Sequence, residues 1–135
     1  MLTRSILLTL LNTIVITKVL VYTNEYLKTY GPLTTEIEKM PSVPVFIAQM
    51  VFCTMVEDLS FYCTHRLLHH PKLYPSIHKI HHENRVVYCL AALHTHPVEF
   101  LIGNMLPLNL GPYLLFHRMH RASYFAWYLI RSMET

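Results

Sequence analysis

Apolar stretches along this chain alternate with short polar intervals, and the pattern predicts a string of helices. Met1 to Tyr22 is mostly apolar, with Arg4, Asn12 and Lys18 as its strongly polar residues. A membrane span needs about 20 apolar residues, and Arg4 and Lys18 can snorkel toward opposite interfaces. The stretch is long for a signal peptide and lacks a clear cleavage site, so a retained anchor is the preferred reading over a cleaved leader. Thr23 to Pro44 is polar and holds three prolines; it predicts a loop with a short helix at Thr34 to Met40. Val45 to Cys63 is the second apolar segment and carries Glu57 and Asp58. Pro71 and Pro75 break that helix. Ser76 can cap a new one carrying His78, His81 and His82. Val86 to Leu93 is a short apolar run. Phe100 to Phe116 is apolar but interrupted by Gly103, Pro107, Gly111 and Pro112, which predicts a kinked or re-entrant segment. His117 to Arg121 is polar again, and Ala122 to Ile130 predicts an aromatic-rich helix.

Composition sharpens this. Of 135 residues, 53% are hydrophobic and only 14% charged, against roughly 25% charged in average soluble chains. The expected class is an all-α integral membrane protein. No basic run with interleaved aromatics is present, so nucleic acid is not an expected partner. Cys53, Cys63 and Cys89 are odd in number and suggest small apolar core residues, not a disulfide framework. The segment from His65 to Arg85 carries more Lys and Arg than the loop from Thr23 to Pro44, which places it on the cytosolic face.

The chemistry lies in that basic segment. Six of the ten histidines fall between His65 and His82, as His65-Arg-Leu-Leu-His69-His70 and His78-Lys-Ile-His81-His82. Neutral imidazole is the commonest metal ligand, and helical spacing of i, i+3 and i+4 puts such rings on one face. With His96, seven histidines become candidate ligands, more than the four one tetrahedral ion takes. Two redox metals beside an apolar segment suggest oxygen activation against a lipid C–H bond; a zinc hydrolase is a distant alternative. Asp58, Tyr62, His65 and His69 share one helical stripe, so Asp58 is a candidate to orient a ligand. Its rival role is a structural ion pair, with Arg66 for example. His96 and Glu99 also share a face.

These motifs resemble the fatty acid hydroxylase superfamily. The resemblance rests on Asp58-Leu-Ser-Phe-Tyr62 through His69-His70-Pro71, on His78-Lys79-Ile-His81-His82-Glu83, and on His96-Pro97-Val-Glu99, and covers about Pro41 to Thr135. Within the superfamily the chain is most similar to the C4-methylsterol oxidase branch and its related domain-containing proteins, to which Asn104-Met-Leu-Pro107 also points. The resemblance implies a multi-pass endoplasmic-reticulum enzyme with a histidine-bound di-iron centre. It implies a monooxygenase using O2 and electrons from NAD(P)H through cytochrome b5 or its reductase. The expected reaction is oxidation of a sterol C4 methyl group; a fatty-acid or sphingolipid hydroxylase is the alternative. By the same resemblance His65, His69, His70, His78, His81, His82 and His96 hold metal. Asp58 and Glu99 support catalysis by orienting them, and Glu83 matches a further acidic position.

Two departures stand out. The family carries a third box, His-x-x-His-His, which this sequence lacks; His117-Arg-Met-His120-Arg121 only imitates it and is expected to be a polar turn. The expected organisation is therefore an anchor and polar loop at 1–44 and a C-terminally truncated hydroxylase domain at 45–135. Such a chain is expected to bind one metal or to bind weakly, and a non-catalytic protein with half a metal site is a further alternative. His94 stands where the family usually has tyrosine; it is expected at the surface, with an extra metal ligand as the alternative.

Overall fold

A computed structural model describes residues 2–29, 40–83, 93–115 and 119–132. The expected short helix at Thr34 to Met40, Cys89, His117 and nearly all of the Val86 to Leu93 run lie outside the described residues. Those residues are mostly helical and include no β-strand.

Helix α1 runs Leu2–Thr29, longer than the apolar pattern predicts. Helix α2 spans Val43–Leu68 and opens with Pro44, whose fixed φ suits a first helical turn. It stops just before Pro71, because the residue preceding a proline is pushed out of helical geometry. Turns then lead to a single 3-10 helix, His78–Glu83, instead of the α-helix expected there. The short helix α3, Pro97–Glu99, passes into a π-helical turn, Phe100–Met105, and then into α4, Leu106–Leu114. The interruption predicted for this segment is thus a wide turn followed by a proline-bearing helix. Helix α5 spans Arg121–Ser132.

The helices invert the usual soluble pattern. Among the described side chains of α1, Ser5 and Asn12 are buried, while Ile6, Leu7, Leu10, Leu11 and Ile14 are exposed. On α2 Gln49 and Cys53 are buried, and Val51, Phe52, Met55, Leu59 and Phe61 face outward. Helix α2 is the one helix among the described residues long and apolar enough to cross a membrane.

Helix α4 lies against α2 so closely that a Cβ on Gly111 would stand 2.8 Å from the Cys53 Cα. Around Cys53 gather Met119 and Trp127, with Met50, Leu108, Leu115 and Tyr124 packed on them. Pro112 has no N–H for the carbonyl of Leu108 four residues earlier, and the Trp127 indole donates to that oxygen instead, at 3.0 Å. Arg131 of α5 reaches Glu57 of α2 at 2.6 Å and stacks over Trp127. Cys53 is the buried core residue expected, whereas Cys63 is exposed, because its helix face turns outward.

Candidate metal centre

The last turn of α2 and the 3-10 helix face one another and bring four imidazoles together. His65 and His69, one turn apart, have their Nε2 atoms 3.2 Å apart. His78 Nε2 lies 3.1 Å from His69 Nε2 and 3.1 Å from His82 Nε2. Ligand nitrogens about 2.05 Å from one tetrahedral ion stand about 3.3 Å from each other. His65, His69 and His78 each offer a nitrogen within 4.8 Å of the others, which is a spacing that one ion can bridge, and His82 adjoins this group through His78.

One tautomer is fixed by its surroundings. His78 is fully buried, and its Nδ1 lies 2.8 Å from Oε1 of buried Glu99. The ionised Glu99 can only accept, and against it Nδ1 carries the hydrogen and Nε2 presents a bare lone pair to the cluster. Burial, then the imidazoles of His65, His69, His82 and His81, hold the His78 pKa down at about 4. Burial pushes Glu99 up to about 7, and its Oε2 has no hydrogen-bond partner among the described residues. A cation on the far side of the His78 ring would favour the Glu99 anion, which is the usual carboxylate–histidine–metal relation. The residues present therefore fit a divalent transition metal.

The other candidates are placed differently. His81 stacks on His78 with ring centroids 5.8 Å apart, and burial holds its pKa low. His70 is exposed and accepts the Lys72 N–H. His96 caps α3, its Nδ1 accepting the Val98 N–H, while Glu99, expected to share its face, reaches His78. Asp58 is exposed and lies 3.7 Å from Arg131. Its stripe carries it toward α5, and its partner is Arg131, not Arg66, which donates to Tyr62. His94, expected at the surface, is buried and sits 3.4 Å from Glu83. His120 is also buried and caps α5 through Ala122 N–H. Tyr74, not singled out from sequence, packs against His69, His78 and His82; its place between the two clusters was the available signal.

The fatty acid hydroxylase family model matches residues 50–135. Human fatty acid hydroxylase domain-containing protein 2 is 35% identical over 97 residues, covering 72% of this chain and 28% of that protein. Methylsterol monooxygenase 1 of Gallus gallus is 37% identical over 112 residues, covering 82% of this chain and 36% of its own. Fatty acid hydroxylase ahd1 of Mycosarcoma maydis is 40% identical over 88 residues, covering 65% and 22%. The chain thus spans about a third or less of the length of these relatives. No solved structure matches it.

Proposed function

Because the chain belongs to the fatty acid hydroxylase family, we propose that its histidine cluster holds iron and serves oxidation of a membrane lipid. The observation that carries this is the convergence of His65, His69 and His78, with His82 Nε2 beside His78 and Glu99 behind it. Iron bound there would supply the oxygen-activating redox chemistry; two irons are the expectation for the family. His81, His70 and His96 complete the proposed ligand set. Glu99 holds the His78 Nδ1 hydrogen and so fixes which nitrogen faces the metal. Asp58 keeps a structural role through Arg131.

Residues 1–44 are the membrane anchor and loop of this reading, and 45–135 the hydroxylase portion. Helix α2 crosses the membrane and delivers His65 and His69 to its cytosolic face, in a multi-pass protein of the endoplasmic reticulum. The exposed apolar faces of α1 and α2 favour lipid as neighbour and as substrate. The proposed reaction is oxidation of a sterol C4 methyl group, with O2 and electrons from NAD(P)H by way of cytochrome b5. The similarity to methylsterol monooxygenase 1 supports it. Similarity to fatty acid hydroxylase ahd1 favours a second reading, hydroxylation of an acyl chain.

Lipid analysis of cells lacking the protein, with and without the wild-type or His69→Ala chain restored, tests this. Accumulation of 4-methylsterols, reversed by wild type and not by H69A, is the expected result. Loss of hydroxylated acyl chains alone would move the assignment to the second reading. An unchanged lipid profile would overturn both.

A further inference from the structure

Helix α1 carries three strongly polar residues in an apolar stretch, and two of them reach the same place. Asn12 is fully buried and spends both amide hydrogens on distant backbone: on Leu93 O at 2.8 Å and on Thr95 O at 3.0 Å. A buried amide in an apolar helix is costly unless it is bonded, so these bonds set where α1 sits. Two turns earlier, Arg4 NH1 lies 2.9 Å from each carboxylate oxygen of Glu83. Glu83 also approaches the buried His94 ring at 3.4 Å.

These contacts grip both ends of one stretch of chain. Glu83 follows His82 directly, and His82 Nε2 is 3.1 Å from His78 Nε2. Thr95, 1% exposed, precedes His96, the cap of the helix that presents Glu99 to His78. One rigid helix therefore fixes the second histidine cluster on one side and the carboxylate behind His78 on the other.

We infer that α1 is a brace for the metal centre, with Arg4 and Asn12 as positioning residues that hold the second histidine cluster and Glu99 in register. This rests on the metal-binding reading above and goes beyond its description of α1 as an anchor. Membrane attachment alone does not require Asn12 to bond Leu93 and Thr95, nor Arg4 to meet Glu83. Holding two sides of a ligand cage does, because a ring displaced by a fraction of an ångström loses the shared focus.

The full chain in phospholipid nanodiscs, titrated anaerobically with cobalt(II), tests the brace. Affinity and the visible ligand-field bands report ligand geometry; circular dichroism reports folding separately. Asn12→Leu is expected to weaken cobalt binding about tenfold, as loss of a buried amide's bonds would, and Arg4→Gln about two- to fivefold, as loss of an exposed ion pair would; both are expected to shift the bands, with helicity retained. Arg4→Lys is expected to restore binding, since a single nitrogen makes both contacts to Glu83. Should N12L unfold, the surface pair R4Q and R4K decides alone. Wild-type affinity and bands in R4Q and in a folded N12L would overturn the brace while leaving the metal site standing. Wild-type cobalt binding no tighter than that of His78→Ala would instead overturn the metal reading, and the brace with it.

Discussion

The most consequential single contact joins His78 to Glu99, two groups 21 residues apart in sequence and both buried. Replacing Glu99 with Gln removes the anion but keeps the size, and Gln can accept at Nδ1 only weakly. Metal affinity is expected to fall roughly 10- to 100-fold, the usual effect of losing an outer partner of a ligating histidine; a metal titration of E99Q measures it. The same pair fixes a pH signature in the metal-free chain. The His78 pKa is depressed to about 4, so its contribution to stability is present above its ordinary value and lost as pH falls toward 4. Glu99 is raised to about 7, so its contribution is present below its ordinary value and lost as pH rises through 7. Between those values the two slopes oppose. This pair's contributions should nearly cancel in the wild type across that window, whereas E99Q should gain stability more steeply than wild type from pH 4 upward until the ordinary histidine pKa is passed. Parallel curves for the two proteins in thermal melts would contradict the coupling.

At the scale of elements, α2 and α4 depend on the absence of a side chain. Gly111 brings α4 within 3.2 Å of the Cys53 carbonyl, counted from where a Cβ would be. Gly111→Ala should cost about 1–3 kcal/mol through overpacking of backbone that has nowhere to go. The gain in helix propensity offsets only part of that. Helix α5 is tied to α4 by the bond from Trp127 to the Leu108 carbonyl, which Pro112 leaves without its helical donor. Trp127→Phe should cost about 1–3 kcal/mol for an unsatisfied buried carbonyl. Reversible unfolding in detergent micelles measures both, and an unchanged midpoint for either would show that its interface yields more easily than the packing implies.

For the whole molecule, apolar side chains outside and Ser5, Asn12 and Gln49 inside describe a fold suited to an apolar solvent. The Glu57–Arg131 pair, 2.6 Å apart, fits the same setting, since carboxylates in such a helix find an internal partner. The chain is therefore expected to stay with the membrane pellet after alkaline carbonate washing. Its His65 to Glu83 surface should be reachable by reagents from the cytosolic side; release into the supernatant would contradict the spanning role of α2.

The helices were legible because helix type follows from local rules: apolar runs of helical length, Pro44 at a start, Pro71 beyond an end. The histidine clusters were legible for the same reason, since i and i+4 spacing aligns His65 with His69 before any folding occurs. Spacing within one helix does not say which way a stripe faces. Asp58 shares the stripe of His65 yet meets Arg131, because α5 packs there. Nor does a local pattern reveal contacts across long separations. That Glu99 reaches His78 while neighbouring His96 caps its own helix was decided only when α3 docked beside the 3-10 turn. Likewise His94, a polar residue expected outside, is buried beside Glu83, where Asn12 of α1 bonds the backbone on either side of it. The sequence by itself determined the long helices and which residue types stand at ligand spacing; tertiary packing decided which polar groups face one another, because those contacts join residues up to 83 positions apart.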